Sequence, residues 1–523
     1  MDTVEVEPTG HQDAAAAGTD GLARWASGLS WSEVPVPVRE RLSLVLLDTL
    51  AVTLAGARTD GQRRIRAAWP RPPGDAPVLG SGFLTHTDTA AYLNASALVC
   101  CELDEGGKYA KGHPAGHVFP AVLALAASLG ASGEATALAL LAGYEVAARF
   151  GRATALGPGV HPHGTWGVTG AAAGCALLLG LSAPQVAAAI DTAAGLPVAG
   201  HFDSALDGHR VRDAWMGAAA VSGLAAARLA RASVVRNTGT AARSLGTLLG
   251  TFDASALTRG LGAHGAAADG DGPGGPGQEG IVDWQITHNY FKRHASCSYT
   301  HPAADLALDL RASRLHGMTP ADVVAAVDTL TVDTHRLAAP LDRTHWDSGL
   351  GAMFSVPYAV AAALLDGEVA PATADATEEQ RPELFALARK VTVREEAAFT
   401  ARLPHERPSR LTAHFTDGRE RAVLSAPHPV GDSAHHPFTD ATLSSFLTRL
   451  LGDGDLVDSL RQSAKDLPSA DDVGPLLRGL AGEPEEDGHP GATAGTTAER
   501  AAGTTAAGAA GTLGSAAASG GTA

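Results

Sequence analysis

The stretch CCELDEGGKYAKGHPAGHVFPAVLALAASLGASGEATALALLAGYEVAAR, from Cys100 to Arg149, carries two messages. Its second half is two apolar runs dense in Ala and Leu with glycines at the turn between them, the composition of close-packed helices. Its first half crowds Glu102, Asp104, Glu105, Lys108, Lys111, His113 and His117 beside Gly and Pro. Acids, amines and imidazoles set so close on a loop flanked by buried helices are what proton transfer needs, and they are costly to place there for structure alone. The segment reads as the core of an active site in a helical protein.

Composition narrows the classes around this reading. A chain of 523 residues suggests more than one domain and can bury a large core. Apolar residues make up 45% but aromatics only 5%, with Ala and Gly dominant, which favours packed helices over a sheet of β-branched residues. The formal charge of -17 argues against nucleic acid and anionic membrane as partners, since both need a basic face. A small anionic substrate remains compatible, because a local cluster can oppose the global sign. Four cysteines (Cys100, Cys101, Cys175, Cys297) make no disulfide framework in a chain this long, so a reducing, cytoplasmic setting is expected. The opening residues MDTVEVEPTGHQD lack the basic and apolar regions of a secretory signal. The uncharged stretch from Gly167 to Ile190 reads as two helices rather than a membrane span. Gly180 stops the first, Ser182-Ala-Pro-Gln185 is a capping box for the second, and Leu181 and Val186 are placed as its staple.

Helical patterns are expected over 38–55, 87–101, 120–129, 135–152, 165–179, 184–194 and 214–232, with no alternating strands. They predict an all-helical domain over residues 21–265, preceded by a disordered N-terminus over 1–20. A Gly/Pro/Asp-rich segment at 262–280 reads as a long loop or domain boundary. Beyond it, helices near 301–314 and 355–365 alternate with period-two stretches at 323–334, 390–395 and 410–425. The last of these carries an Asp417-Gly418 hairpin signal. A smaller α+β lid domain is predicted over 281–430. A helix near 440–451 returns to the bundle, so that 431–475 completes the helical domain, and the Gly/Ala/Thr-rich 482–523 is expected to be a disordered tail. The fold class is mainly α: a large all-helical domain plus a smaller α+β lid.

Some motifs are present only in letter. Gly260-Leu-Gly-Ala-His-Gly265 spells a dinucleotide fingerprint, but no strand precedes it and no helix follows. There is neither a P-loop nor a nucleophile elbow. His113 and His117 stand four apart, yet Pro114 and Gly116 oppose a helix between them and no H-E-x-x-H glutamate accompanies them. No metal and no cofactor are expected.

Acid–base work suits these histidines better. A partly buried neutral imidazole titrates near working pH, and His113 precedes an apolar helix directly. Glu102 and Asp104 end the preceding helix, where one of them can orient an imidazole or shuttle a proton. His161, His163, Thr165 and Trp166 lie at the start of the next helix, whose N-terminus suits a carboxylate. Arg210 and Arg212 can grip carboxylate oxygens bidentately. Lys292, His294, Cys297 and His301 form a further reactive set, with Cys297 and His301 paired if that stretch is helical. Each cluster has a plainer alternative as a solvated turn or a buried structural group.

In this order, eight stretches resemble the MmgE/PrpD family. They are LLDTLAVTLAGA (46–57), AAYLNASALVCCELDEG (90–106), GHPAGHVFPAVLALAASLGASG (112–133), AGYEVAARFG (142–151), HPHGTWGVTGAAAGCALLLGLS (161–182), VRDAWMGAAAVSGLAAARLA (211–230), FKRHASCSYTH (291–301) and FSVPYAVAAALLDG (354–367). The resemblance implies a helical domain, a smaller α/β lid, a homodimer and chemistry without metal or organic cofactor. By position it implies His113 as the acid–base histidine, Glu102 or Asp104 as the upstream acid, His161 as a second site histidine and Lys292 as a substrate-facing lysine. The chain departs from the family pattern at Arg212, Cys297 and Met353. The expected function is a cofactor-independent lyase, of dehydratase or decarboxylase type, that abstracts a proton α to a carboxylate of a small acid. Arg210, Arg212, His163, Cys297 and His301 are expected to line the substrate. An epimerase using the same site, and a catalytically silent binding protein, are the alternatives.

Overall fold

Small residues decide how closely these helices approach. A Cβ on Gly170 would lie 2.3 Å from the Gly143 carbonyl oxygen, and one on Gly56 only 1.9 Å from that of Ala97. Backbones in such contact leave no room for a side chain, so the helices Gly133–Ala153 and Val168–Leu178 pack face to face, as do Val36–Ala57 and Thr87–Val99. Pro114–Leu129 and Val211–Arg231 pack among them. The computed structural model describes residues 9–262 and 282–482, which form one compact unit.

The described residues are mainly helical and hold two hydrophobic cores. The larger is built from the helices up to Arg231 and is completed by Leu443, Leu447, Leu451, Val457 and Leu460. These come from Asp440–Leu451 and Gly454–Asp466, which pack on Val36–Ala57. The smaller core joins His301–Arg314 and Val356–Asp366 to a four-stranded mixed sheet. Its strand order is Ala422–Ala426, Ser409–Phe415, Val327–Thr334, Val391–Glu395; only the last pair is parallel. Asp417-Gly418 lies in the loop of the antiparallel hairpin, with Gly418 at φ 75. Gly180 takes φ 68, and the Ser182–Gln185 capping box opens Ala183–Ala194. Among the described residues no single helix is long and apolar enough to cross a membrane.

Several expectations need correction. Residues 9–20 are not disordered: Thr9–Ser27 is a helix whose Leu22 and Trp25 are buried and which packs on Ala183–Ala194, an apolar stripe that the polar opening residues obscure. Residues 1–8, the segment 263–281 and the tail from 483 lie outside the described residues. The helix expected at 120–129 begins at Pro114, with proline at the first position where no N–H is needed, so Pro114 and Gly116 do not oppose it. Residues 323–326 end the helix Pro320–Ala326 rather than start a strand. The first 250 residues also contain short strand pairs, such as Thr154–Leu156 with Gly250–Phe252, so that part is not purely helical.

The close approach predicts a contrast. Gly170→Ala should cost on the order of 1–3 kcal/mol in unfolding experiments through overpacking. Gly61→Ala, in a helix with nothing within 4 Å of the added carbon, should be neutral or slightly stabilising.

Candidate active site

Three backbone features assemble the site. Thr87–Val99 ends just before Glu102, which sits at φ 53, a left-handed conformation that costs a non-glycine residue free energy and turns the chain sharply. Gly106-Gly107 then pairs antiparallel with Asn289-Tyr290 and so carries Lys292 back beside Glu102 and Asp104. Gly106 is required there, since a Cβ would lie 2.3 Å from the Tyr290 hydroxyl. His113 caps the Pro114–Leu129 helix, and the Glu105 carboxylate accepts the Ala115 N–H at that helix's positive end at 2.9 Å.

Hydrogen bonds fix the histidine tautomers. His113 Nδ1 lies 2.7 Å from the Glu105 carbonyl and 3.0 Å from Asp104 Oδ2. A carbonyl only accepts, so Nδ1 carries the hydrogen, and Nε2 is left with no protein partner among the described residues. Burial would push His113 down, but the facing Asp104 charge overrides it and raises it above 6.5. Burial likewise pushes Asp104 up, yet His113 and Lys292 hold it down to about 2. Each member of the pair thus favours the charged form of the other. His163 lies next to His113, ring centroids 5.0 Å apart, and His161 next to His163 at 4.6 Å. His161 Nδ1 accepts the His163 N–H at 3.1 Å, which leaves its hydrogen on Nε2. Burial holds His161 down to about 3 and His163 well below the ordinary range, so both are neutral donors. His163 Nδ1 is buried without a partner.

His113, His161, His163, Glu102, Asp104 and Lys292 thus converge. The cations expected to grip substrate do so less freely. Glu102 is an ion-pair bridge: Arg212 contacts its Oε1, and Lys292 lies 2.9 Å from its Oε2. Arg212 also donates to Asp213 at 3.0 Å and the Val99 carbonyl at 2.8 Å, so it is anchored within the protein. Arg210, partly exposed, bonds Asp213 at 3.4 Å. Residues 291–300 are turns, not helix, so the expected Cys297–His301 pairing does not form. His301 Nε2 bonds the Ser296 carbonyl at 3.1 Å and its ring packs on His294. Burial raises the Cys297 thiol, which makes it a poor nucleophile.

Other residues shape the site without having been singled out as site residues. Burial raises Glu105 to about 7, and Tyr144 donates to it at 3.2 Å. Asp48, a buried acid among apolar residues of the helix Val36–Ala57, accepts the Glu105 N–H at 3.2 Å, and burial raises it well above the carboxylate range. His117 donates from Nδ1 to the His113 carbonyl at 2.8 Å and accepts the Gly164 N–H at 3.0 Å, so it ties the two histidine segments together rather than exchanging protons. Asp104, His113 and His163 offer ligand atoms within 4.8 Å of one another, the geometry of a small metal set. Lys292, 3.6 Å from Asp104, and Arg212, 3.4 Å from His163, already supply positive charge at those atoms.

A buried histidine held below its unfolded value takes up a proton on unfolding. It leaves stability untouched above pH 6.5 and drains it as pH falls toward about 3. The stability of wild type relative to His161→Gln should therefore fall by about 1.4 kcal/mol per pH unit below that point. Paired denaturation curves at pH 7 and pH 5 check this, and an unchanged gap would refute it.

The MmgE/PrpD N-terminal domain matches residues 20–255, and the MmgE/PrpD C-terminal domain matches residues 294–452. A cis-aconitate decarboxylase of Aspergillus terreus is 26% identical over 486 residues, 89% of this chain and 96% of the relative. A cis-aconitate decarboxylase-like protein, oryM, of Aspergillus oryzae is 27% identical over 491 residues, 89% of this chain and 97% of the relative. The matched domains take in the Asp104–His113 pair and the helix Asp440–Leu451 that returns to the larger core, and the chain belongs to the MmgE/PrpD family.

Proposed function

We propose that this enzyme of the MmgE/PrpD family is a lyase of decarboxylase type, acting on a small unsaturated polycarboxylate, with His113 as the residue that moves the proton. The observation that carries this reading is the Asp104–His113 pair at 3.0 Å, in which each charge favours the other, whose Nε2 has no protein partner among the described residues and whose neighbours His161 and His163 are held neutral by burial. The relatives' names, both containing cis-aconitate decarboxylase, support the reaction class.

In the proposed step, the bond between carbon and a carboxylate breaks and carbon dioxide leaves. The electron pair stays on carbon, spread into the adjoining double bond and carboxylate. His113 delivers its Nε2 proton to that carbon and is reprotonated from water. His161 Nε2–H and His163 Nδ1–H donate to carboxylate oxygens as charge develops. Asp104 keeps His113 in one tautomer and stabilises its charged form, the orienting role of a carboxylate behind a catalytic imidazole. A dehydratase would use the same dyad in the other direction, with His113 taking a proton from carbon.

A panel of polycarboxylates, cis-aconitate included, incubated in deuterated water and followed by NMR tests the reading. One deuterium should enter the product carbon for each carbon dioxide released, and His113→Ala should slow turnover about 10²–10⁴-fold. Turnover of none of the acids, or full activity in His113→Ala, would overturn it.

The pH profile separates the two directions. A proton donor loses activity as pH rises through the raised value of His113, and Asp104→Asn, which removes the cause of that rise, should shift the loss to lower pH. A rate that instead falls on acidification would make His113 the base of a dehydratase.

A further inference from the structure

We propose that Arg407, framed by Tyr290, Tyr299, Ser298 and His335, is the anchor for a substrate carboxylate remote from the reacting carbon. This deepens the lyase reading and rests on it for the identity of the neighbouring proton site.

Arg407 is 6% exposed, and among the described residues it has no carboxylate within ion-pair distance. That is costly, because a buried guanidinium is normally paired. The other buried cations near the dyad are matched: Arg212 and Lys292 share Glu102, and Lys108 lies 3.1 Å from Asp432. Arg407 instead has neutral groups in direct contact, and the acid whose charge reaches it, Asp432, is already paired with Lys108. It lies 4.9 Å from the ring centroid of Tyr290 and 5.6 Å from that of Tyr299, and donates to Ser298 Oγ at 3.4 Å.

A second observation points the same way. His335 is fully buried, and neither of its ring nitrogens has a hydrogen-bond partner. Its ring meets Tyr299 edge-on at 5.5 Å. A buried guanidinium without a paired carboxylate and a buried imidazole without a partner, both packed on one tyrosine, together supply what a carboxylate requires.

The cluster belongs to the same site. Tyr290 pairs with Gly106, the residue after Glu105, and its hydroxyl lies over that glycine. Its charge interactions reach both His113 and Lys292. Segments from the second matched domain would thus hold one end of the substrate while the Asp104–His113 pair acts on the other. It also relieves a difficulty, since Arg212, the arginine expected to bind substrate, is already committed to Glu102 and Asp213.

The test uses tricarballylate, a saturated tricarboxylate with no double bond to receive the electron pair, titrated calorimetrically into the full chain. Arg407→Met should weaken binding about 10–100-fold, and Arg407→Lys, which keeps the charge but not the fork, should weaken it less. Because no carboxylate pairs directly with Arg407 in the unliganded protein, Arg407→Met should melt no lower than wild type, whereas a merely structural arginine would melt lower. Binding by Arg407→Met within twofold of wild type would overturn the proposal. Should that variant not fold, Arg407→Lys and Tyr290→Phe are read on the same titration, and wild-type affinity in both would overturn it. A chain that binds tricarballylate through Arg407 but turns over no acid would fail the lyase reading and keep this one. A chain that releases carbon dioxide with Arg407→Met binding unimpaired would do the reverse.

Discussion

A buried carboxylate, Asp104, facing an imidazole on one side and an ammonium on the other, sets the charge of the surrounding site. In a low-dielectric interior an ion is tolerated only where another ion answers it. Asp104 is answered by His113 at 3.0 Å and Lys292 at 3.6 Å, and Glu102, two residues earlier, answers Lys292 and Arg212. Two acids and three cations from separate parts of the chain are thereby locked into one network. The charge left on His113 makes the neighbouring histidines still harder to protonate, and burial keeps them neutral.

The fold exists around that network in a specific sense. The glycine contacts between Gly133–Ala153 and Val168–Leu178 draw the helices close enough to exclude water from the histidine segment between 161 and 167. His117, on the first turn of Pro114–Leu129, joins that segment to His113 through two backbone hydrogen bonds. Glu105 and Asp48, both raised by burial, position the loop while weakening any competing negative charge there. The strained turn at Glu102 lets one short segment present acids at 102 and 104 to the site while Cys101 and Leu103 line a separate cavity with Arg293 and His294.

Much of this was legible in the sequence. The apolar periods located the core helices, the Ser182–Gln185 box marked a true boundary, and the crowding of ionisable groups at 102–117 marked where buried charge gathers. What escaped has physical reasons. Helix Thr9–Ser27 packs on a partner helix that starts at Ala183, far along the chain, which local composition cannot register. Arg212 has the composition of a substrate clamp, and only its contacts with Glu102 and Asp213 reveal that it is spent on structure. Arg407 sits in a polar stretch of the kind that reads as a solvated turn, and its burial and lack of an acid are tertiary facts. His117 looked like a partner in chemistry by spacing, yet backbone groups occupy both its nitrogens.

The account turns on where hydrogens reside among three adjacent imidazoles. Neutron diffraction from crystals grown in deuterated buffer at neutral pH would locate them directly. Deuterium on both nitrogens of His113, on Nε2 alone of His161 and on Nδ1 alone of His163 is the predicted pattern. A bare Nδ1 on His113, or an imidazolium at position 161 or 163, would contradict it.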